Sequence, residues 1–303
     1  MNEIPDRQNS DRSIRLLRAR KQVYAVAERF QVAQLLVVVA LPIIAAVFGL
    51  AVPEYRAHVA LLALIATLSD LLFLDRMQRN KLKLAAKLSE VFDHEVLELP
   101  WNEFVVGRRP DPETEIGAAR RWRGGDDRLR DWYAPREIGL APLHLARIIC
   151  QRENLWYDSN LRRRTGYALV WIASGVGLML LAAGIVASLS FADFVLTILV
   201  PGAPLIIWAL RESFRQQDAA DALDQIKTAA EQLWSTVVHG GTSPAELDAR
   251  SREFQDAIYA RRSSNPLPVP FIYSWVRGGM EIEMREGAAA HLAQIGVGTS
   301  VLR

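Results

Sequence analysis

Features that usually reveal an enzyme or a secreted protein are scarce in this sequence of 303 residues. It contains one cysteine, Cys150, so no disulfide can form within the chain, and a lone thiol suits a position facing the cytosol. Its 5 histidines are scattered without the spacing of metal ligands. Neither a phosphate-binding glycine-rich loop nor a nucleophile elbow occurs. We therefore expect a protein that is not an enzyme and that needs no cofactor.

An excess of charge of one sign is also lacking, because 36 basic and 34 acidic residues leave a net charge of +2. Polyanion-binding proteins have a larger positive balance, so direct DNA binding is not expected. The N-terminus does not resemble a secretory signal peptide, since charged residues such as Asp6 and Arg7 come first. Hydrophobic residues, in contrast, make up 50% of the chain and are unevenly distributed along it.

Four apolar stretches are long enough to cross a bilayer, which takes about 20 residues. They are Val32–Val52, Ala57–Leu74, Tyr167–Leu189 and Phe191–Leu210. Short connectors join them in pairs, which predicts two transmembrane helical hairpins. Buried core helices of a soluble protein are the alternative, but four such runs with charged flanks are rare in soluble folds. The fourth run contains Pro201 and Pro204, which should kink it.

Basic residues flank these runs on one side only. They lie at 12–29 in the N-terminal arm, at 76–87 after the second run, at Arg162–Arg164 before the third, and at Arg211 and Arg215 after the fourth. The connectors within the pairs contain only Arg56. Because basic residues mark the cytoplasmic ends of membrane helices, both termini and the long central segment are predicted to be cytoplasmic.

The predicted fold is therefore mainly α: a polytopic membrane protein with two transmembrane helical hairpins and cytosolic helical parts. We divide it into a cytosolic basic N-terminal helix (1–31), hairpin 1 (32–74), a cytosolic insertion (75–166), hairpin 2 (167–210) and a cytosolic helical C-terminal region (211–303). The insertion is expected to combine helices with short extended segments. The C-terminal region is expected to form a helical hairpin.

Local patterns predict the elements of these cytosolic parts. In the insertion, a helix is expected over Lys81–Val91, a short strand or extended segment over Val96–Leu99, and a loop over Asn102–Asp127. In the C-terminal region, one helix should continue to Val238, and a capping box at Ser243–Glu246 should begin the next.

The N-terminal arm has an amphipathic helical pattern, with Ile14, Leu17, Tyr24 and Ala27 on one face and arginines opposite. A contact with anionic lipids combined with a topology signal explains this pattern as well as any specific role.

Asp70 lies inside the second apolar run, close to its cytoplasmic end. An ionisable group at that depth is costly and usually faces the interior of a helix bundle or water. It can line a pore or vestibule, or it can make an interhelical or interfacial hydrogen bond near the headgroups. The second explanation is favoured by the position alone.

A polar stripe is predicted on the helix that begins near Pro142, because four polar residues recur at i, i+4, i+7 and i+11. Arginine binds phosphate and aromatic rings stack on bases, so this surface can grip a nucleotide-like ligand. A structural network bracing the helix explains the same spacing and is favoured on spacing alone. The candidate ligand-binding residues are Arg147, Gln151, Arg152, Asn154, Asp158, Trp101, Asn102 and Trp132.

The same helix is expected to run without a break into the third apolar run. Nothing between Pro142 and Leu189 breaks a helix firmly, since glycines are common in membrane helices. One rigid element would then join the soluble and membrane parts.

Three sequence segments resemble a known family. They are Phe92-Asp-His-Glu-Val-Leu-Glu-Leu-Pro-Trp-Asn102, Asp131-Trp-Tyr133 and, most specific, Cys150-Gln-Arg-Glu-Asn-Leu-Trp-Tyr-Asp158 before a basic membrane flank. Together with the two hairpins and the proline-rich stretch before Tyr273, they resemble the SMODS-associated four-transmembrane effectors. This resemblance covers nearly the whole chain.

The resemblance implies a role in bacterial anti-phage immunity of the cyclic-oligonucleotide type. In such systems a nucleotidyltransferase makes a cyclic nucleotide after infection, and the effector then disrupts the inner membrane. It implies a bilayer, a cyclic oligonucleotide and further copies of the chain as partners, with the nucleotidyltransferase as functional partner. No ligand-binding residues are carried over from the family.

Two hypotheses of different classes follow. The leading one is a ligand-gated, pore-forming or membrane-disrupting effector. The alternative is a non-enzymatic membrane scaffold that docks a cytosolic partner protein, which the scarcity of ionisable residues inside the apolar runs favours. A membrane enzyme using Asp93 or Asp158 is a third and weaker hypothesis, because no catalytic motif surrounds either residue.

Overall fold

A computed structural model of the chain describes residues 1–41, 43–44, 52, 54, 56–133, 135–276 and 278–298, without the side chains at 56, 57, 59, 60, 63, 67, 70, 71 and 197. The described residues are almost all helical, and they contain no strand. We number the helices α1 (Ile4–Arg7), α2 (Asp11–Leu35), α3 (Arg56–Ser69), α4 (Asp75–Val96), α5 (Glu103–Val106), α6 (Pro112–Arg121), α7 (Leu143–Val186), α8 (Phe191–Phe194), α9 (Val200–Val238), α10 (Pro244–Ser264), α11 (Pro270–Val276) and α12 (Met280–Gln294). Short 3₁₀ turns cover Asp127–Leu129 and Arg136–Leu140.

Long helical stretches dominate the molecule, and three of them contain a π-helical turn. The π turn Leu36–Ala40 extends α2, Asp70–Leu74 joins α3 to α4, and Val195–Leu199 joins α8 to α9. The helix α7 has 44 residues and is therefore about 66 Å long at 1.5 Å per residue. The predicted uninterrupted passage from the polar stripe into the third apolar run is confirmed, although α7 ends at Val186.

Two helical stretches among the described residues are long and apolar enough to cross a membrane, Asp11–Ala40 and Leu143–Val186. The second apolar run ends in a π turn, and the fourth run contains one that ends two residues before Pro201. Pro53 and Tyr55 of the connector predicted at 53–56 lie outside the described residues.

The main core lies between the parts of α2, α4 and α7 that are outside the apolar runs, and it is made of their buried apolar side chains. The apolar face of α2, with Leu16 and Leu17 fully buried, packs on α4 through residues such as Leu88 and Phe92. The amphipathic helix predicted for the N-terminal arm is thus confirmed. Its arginines contact the insertion: Arg12 and Arg15 both bond Glu115 of α6, and Arg18 bonds Asp126.

The segment after α4 corrects two sequence predictions. Val96, Leu97 and Leu99 form no strand; α4 continues to Val96, and the chain then turns through Glu98 at a φ of 51°. A short apolar run cannot be assigned to helix or strand by pattern alone, and here it supplies fully buried side chains to the core.

The predicted loop Asn102–Asp127 contains α5 and α6. Asn102 caps α5 by accepting a hydrogen bond from the backbone N–H of Val105. Pro112 opens α6, whose first turn is acidic and whose last turn is basic, which suits the helix dipole.

The C-terminal region returns to the same core. α9 reaches Val238 as predicted, and the Ser243 side chain caps α10 through the N–H of Glu246. α10 packs most extensively on α4 and α7, and less on α9. It therefore completes the core next to the stripe on α7.

Candidate functional site

The candidate functional site is centred on a buried polar junction between α4, α7 and α10. Glu90 and Asp93 lie one helical turn apart on the inner face of α4, and both are at most 1% exposed. Gln255 of α10 joins them, because its amide nitrogen donates to Glu90 Oε2 at 2.8 Å and to Asp93 Oδ2 at 2.9 Å. Arg262 bonds Asp93 Oδ2, and Arg252 bonds Glu90 Oε1 at 2.8 Å. Two buried carboxylates thus share one amide and two guanidinium groups.

Tyr133 connects this junction to α7. Its hydroxyl donates to Asp93 Oδ1 at 2.5 Å and accepts from the Asn154 side chain at 3.0 Å. Gln8 fixes the Tyr133 backbone by accepting from its N–H at 2.7 Å and donating to its C=O at 3.0 Å. The N-terminus, the insertion and α7 therefore meet at Tyr133.

Burial dominates the electrostatics of the junction. Desolvation, reinforced by the neighbouring charge of Asp93, raises the pKa of Glu90 from 4.5 to about 7, although Arg252 and Gln255 oppose the shift. Burial likewise raises the pKa of Tyr133, which therefore stays a hydrogen-bond donor. On the adjacent face of α7, burial raises the pKa of Glu153, and one of its carboxyl oxygens lacks a hydrogen-bond partner in the structure. It also raises the pKa of Cys150, so that the thiol stays neutral.

The predicted stripe on α7 is engaged with protein partners along its length. Arg147 is 7% exposed; it donates to the carbonyls of Leu97 at 2.5 Å and Glu98 at 2.6 Å, and it pairs with Asp248 at 2.7 Å. These carbonyls lie where α4 ends and are left without helical partners, so Arg147 satisfies them.

Two further residues of the stripe, Gln151 and Asp158, contact α10 and α7 respectively. Gln151 donates to the Ser251 carbonyl at 2.8 Å and accepts from the Ser251 hydroxyl at 2.9 Å. Asp158 accepts from Arg162 one turn later, at 3.1 Å. The stripe thus braces α7 in this structure, and its role in ligand binding stays a prediction.

The remaining candidate residues are spread around α7. Arg152 faces α9 and pairs with Glu231 at 3.0 Å. Asn102 donates to Asp256 at 2.7 Å, whereas the ring of Trp101 is covered by Arg109 at 4.9 Å and that of Trp132 by Arg20 at 4.5 Å. In the described part of the chain, these four side chains contact separate partners. The side chain of Asp70 lies outside the described residues, so its predicted role stays a prediction.

An open cleft of about 700 Å³ lies beside the junction, at the end of α4. It is lined by Arg7, Ser10, Ser13, His94, Glu95, Glu98, Leu99 and Pro100. Arg7 pairs with Glu98 at 3.4 Å, and Arg109 contacts His94 at 2.7 Å. Burial, reinforced by Arg109, lowers the pKa of His94, so the imidazole is neutral at pH 7. Within the described part of the chain, no group of acidic, histidine or cysteine side chains has the arrangement of a metal site.

Sequence reasoning missed the junction residues Glu90, Tyr133, Gln255 and Arg262. One signal was present, because Glu90 and Asp93 interrupt an otherwise apolar face of α4 at a spacing of three residues. Acidic residues on a buried helix face need partners. Those partners lie over a hundred residues away in α10, at a distance that no local pattern spans.

Comparison with known proteins identifies relatives but no structural precedent. Over 279 residues, 90% of this chain and 92% of the relative, the chain is 23% identical to a protein of Bacillus cereus (strain VD146) described as a probable CBASS effector molecule. No solved structure gives a significant match. The family model described as the SMODS-associating 4TM effector domain matches residues 2–291. With nearly its whole length matched, the chain belongs to the SMODS-associating 4TM effector domain family.

Proposed function

We propose that this chain is a membrane-disrupting, pore-forming effector of bacterial anti-phage defence, activated by a cyclic nucleotide bound on the cytosolic side. Membership of a 4TM effector family and a relative described as a CBASS effector support the defence role. A nucleotidyltransferase that makes the cyclic nucleotide would be its functional partner. No step of this proposal requires the chain to catalyse a reaction.

The proposed membrane arrangement has two hairpins in the bacterial inner membrane, with the insertion and both termini in the cytoplasm. The basic flanks of the four apolar runs support it. So do the exposed apolar side chains, since Trp171, Ile185 and Val186 of α7 are 78%, 78% and 85% exposed. Side chains of this kind need lipid or protein around them.

A pore would require several copies of the chain. The apolar runs contain few ionisable residues, so the four spans of one copy offer a poor path for water and ions. We therefore propose a homo-oligomer in which Asp70 is the candidate lining carboxylate.

The observation that carries the proposal is the link from the cleft to the membrane half of α7. Glu98 lines the cleft with its side chain, while its carbonyl is held by Arg147. Arg147 lies on the first turns of α7, which continues without interruption to Val186. A ligand that displaces residues 97–98 would therefore pull directly on the third span.

The charges of the cleft suggest how a nucleotide would act. Arg7 is the cation of the cleft, and it is occupied by Glu98 and, at 3.0 Å, by Glu3. A phosphate would compete with Glu98 for Arg7, because a charge-assisted bond to phosphate can replace that pair. Such competition gives the ligand different affinities for two states, which activation by a ligand requires.

Dye release from liposomes tests the proposal. The full chain is reconstituted at high density in liposomes of bacterial inner-membrane lipids, and synthetic cyclic di- and trinucleotides are added one at a time. We expect one of them to trigger release, with loss of the response in Arg7→Ala and a response at lower concentration in Glu98→Gln. Arg250→Ala is the control, since Arg250 of α10 does not line the cleft, is 43% exposed and pairs with the exposed Glu253.

Dye retention with every nucleotide would contradict the gated pore. If the cells nonetheless lose viability when the protein is expressed with its system, a scaffold that recruits a cytosolic partner becomes the better explanation. Asp70→Asn and Arg152→Ala separate the two functions further, because a channel should lose leakage in at least one of them without loss of expression.

A further inference from the structure

The extended segment Asn265–Val269, which we call the strap, ties three long helices together where they change from polar to apolar. The Pro266 carbonyl accepts from Arg162 of α7 at 2.6 Å. The Leu267 carbonyl accepts from Gln31 of α2 at 3.1 Å and from Gln216 of α9 at 2.9 Å. The prolines of the strap lack N–H groups, so it binds the helices through its carbonyls.

The strap leads directly into α11, which packs on the first turns of the apolar half of α7. Val269 and Ile272 are buried in a small cluster with Ala168, Leu169 and Ala173 of α7 and Ala209 of α9. This small core is separate from the main one. Through this cluster α11 is held against the first turns of the apolar half of α7.

A neighbouring face of α11 carries two exposed aromatic side chains. Phe271 and Trp275 are one turn apart and are 56% and 73% exposed. On the same turns of α7, Tyr167 and Trp171 are 53% and 78% exposed. Four aromatic side chains are therefore presented at one level of the molecule. Tryptophan and tyrosine prefer this level of a membrane protein, the boundary between headgroups and acyl chains.

Basic residues lie next to this aromatic surface on the polar side. Arg164 contacts the carbonyls of Val276 and Gly278 at 3.4 Å, and it pairs with Glu283 at 3.1 Å. Arg163 precedes it and pairs with acidic residues of α9. The arginines lie on the polar side and the aromatic rings on the apolar side, which is the order of headgroups and acyl chains in a leaflet.

Because these exposed aromatic side chains lie at the level where the exposed apolar half of α7 begins, we propose that α11 is an interfacial anchor in the cytosolic leaflet. In this position Phe271 and Trp275 reach the acyl boundary, and the occupant of the surface is the lipid bilayer. The chain thus contacts the membrane again after its fourth span. This inference rests on the membrane position of α7 given under the proposed function.

Spin labels can locate the two side chains. Phe271→Cys and Trp275→Cys are made singly in a full-length Cys150→Ala background, labelled with a nitroxide and reconstituted in nanodiscs of anionic bacterial lipids. Accessibility to oxygen, which partitions into lipid, is compared with accessibility to a water-soluble nickel chelate. Leu178→Cys on the apolar half of α7, 68% exposed, is the lipid control, and Gln232→Cys, exposed on α9, is the water control.

We expect the oxygen-to-nickel ratio at 271 and 275 to be several-fold above that at 232 and below that at 178. Ratios equal to that at 232 would place α11 in water and overturn the proposal. Low accessibility to both reagents would mean that a second copy covers the surface, which also overturns it. If Leu178 itself behaves like Gln232, the membrane position of α7 fails first. The result at 178 therefore separates failure of the anchor from failure of the proposed function.

Discussion

The two halves of α7 are built in opposite ways. In the first half, Arg147, Gln151 and Arg162 are buried among other helices. In the second half, Trp171, Leu178 and Val186 are more than two-thirds exposed. A buried polar side chain is stable only if its hydrogen bonds are made inside the protein, whereas an exposed apolar face needs lipid or another copy. The two halves of one continuous helix therefore suit different surroundings. Hydrogen bonds hold the first half, whereas the second half depends on contacts of its apolar side chains.

Hydrogen bonds and ion pairs hold the first half of α7. Where this half ends, the backbones of α7 and α9 approach each other closely. A Cβ added to Gly166 of α7 would lie 3.2 Å from the Ser213 carbonyl of α9. Gly175, in the second half, has open space around it. The contrast between the halves can be tested by three experiments, described in order of decreasing effect.

The largest effect is expected from Arg262→Met, which removes one partner of a buried pair. Asp93 would remain buried at 1% exposure with its charge less compensated, which typically costs about 3–5 kcal/mol. Unfolding of the full chain in nanodiscs, followed by tryptophan fluorescence in urea, measures the loss. The same change at Arg250, whose pair with Glu253 is exposed, should cost less than about 1 kcal/mol. Equal losses in the two variants would contradict the importance of burial in the first half.

The second effect is a change in pH dependence on Glu90→Gln. The folded-state pKa of Glu90 is raised from 4.5 to about 7, so its contribution is fully present below pH 4.5 and is lost as the pH rises towards about 7. Of the groups that face it, Asp93 reinforces the raised pKa, whereas Arg252 and Gln255 oppose it. We therefore expect the wild-type Tm to fall between pH 5 and pH 8 and the variant to lose part of this slope. Parallel curves for the two proteins would rule out Glu90 as the source.

The smallest effect is expected from paired glycine substitutions. Gly166→Ala forces Ser213 and Gln217 of α9 to give way, and overpacking of this kind costs about 1–3 kcal/mol. Gly175→Ala meets nothing within 4 Å and removes a glycine from a helix interior, so it should be neutral or slightly stabilising. Thermal unfolding of both variants in the same nanodiscs provides the measurement. A reversed order would mean that another copy of the chain packs tightly against Gly175.

The sequence was informative wherever one helix face decides the structure. The amphipathic pattern at Ile14 and Leu17, the capping signal at Ser243 and the continuity of α7 all follow from local spacing and were confirmed. The apolar run at Val96–Leu99 was wrongly assigned because its burial comes from packing on distant helices. The division into five segments and the hairpin topology stay predictions.

The candidate site was less accessible to sequence reasoning. Arg147 and Asn154 were singled out by their spacing, but their partners, Glu98 and Tyr133, belong to segments without periodicity. The strap was visible only as a proline-rich stretch, since its carbonyls carry the contacts and every residue has a carbonyl. Sequence patterns therefore predict which side chains make structural contacts more readily than they predict the partners in those contacts.

The single thiol has a practical consequence. Cys150 is fully buried on α7, next to the stripe, and its raised pKa keeps it protonated. Thiolates are the reactive form, so alkylating reagents should modify the chain only when α7 separates from its neighbours. The rate of Cys150 alkylation should therefore report how often α7 separates from its neighbours. It can be measured in the wild-type sequence, before any assay of membrane damage.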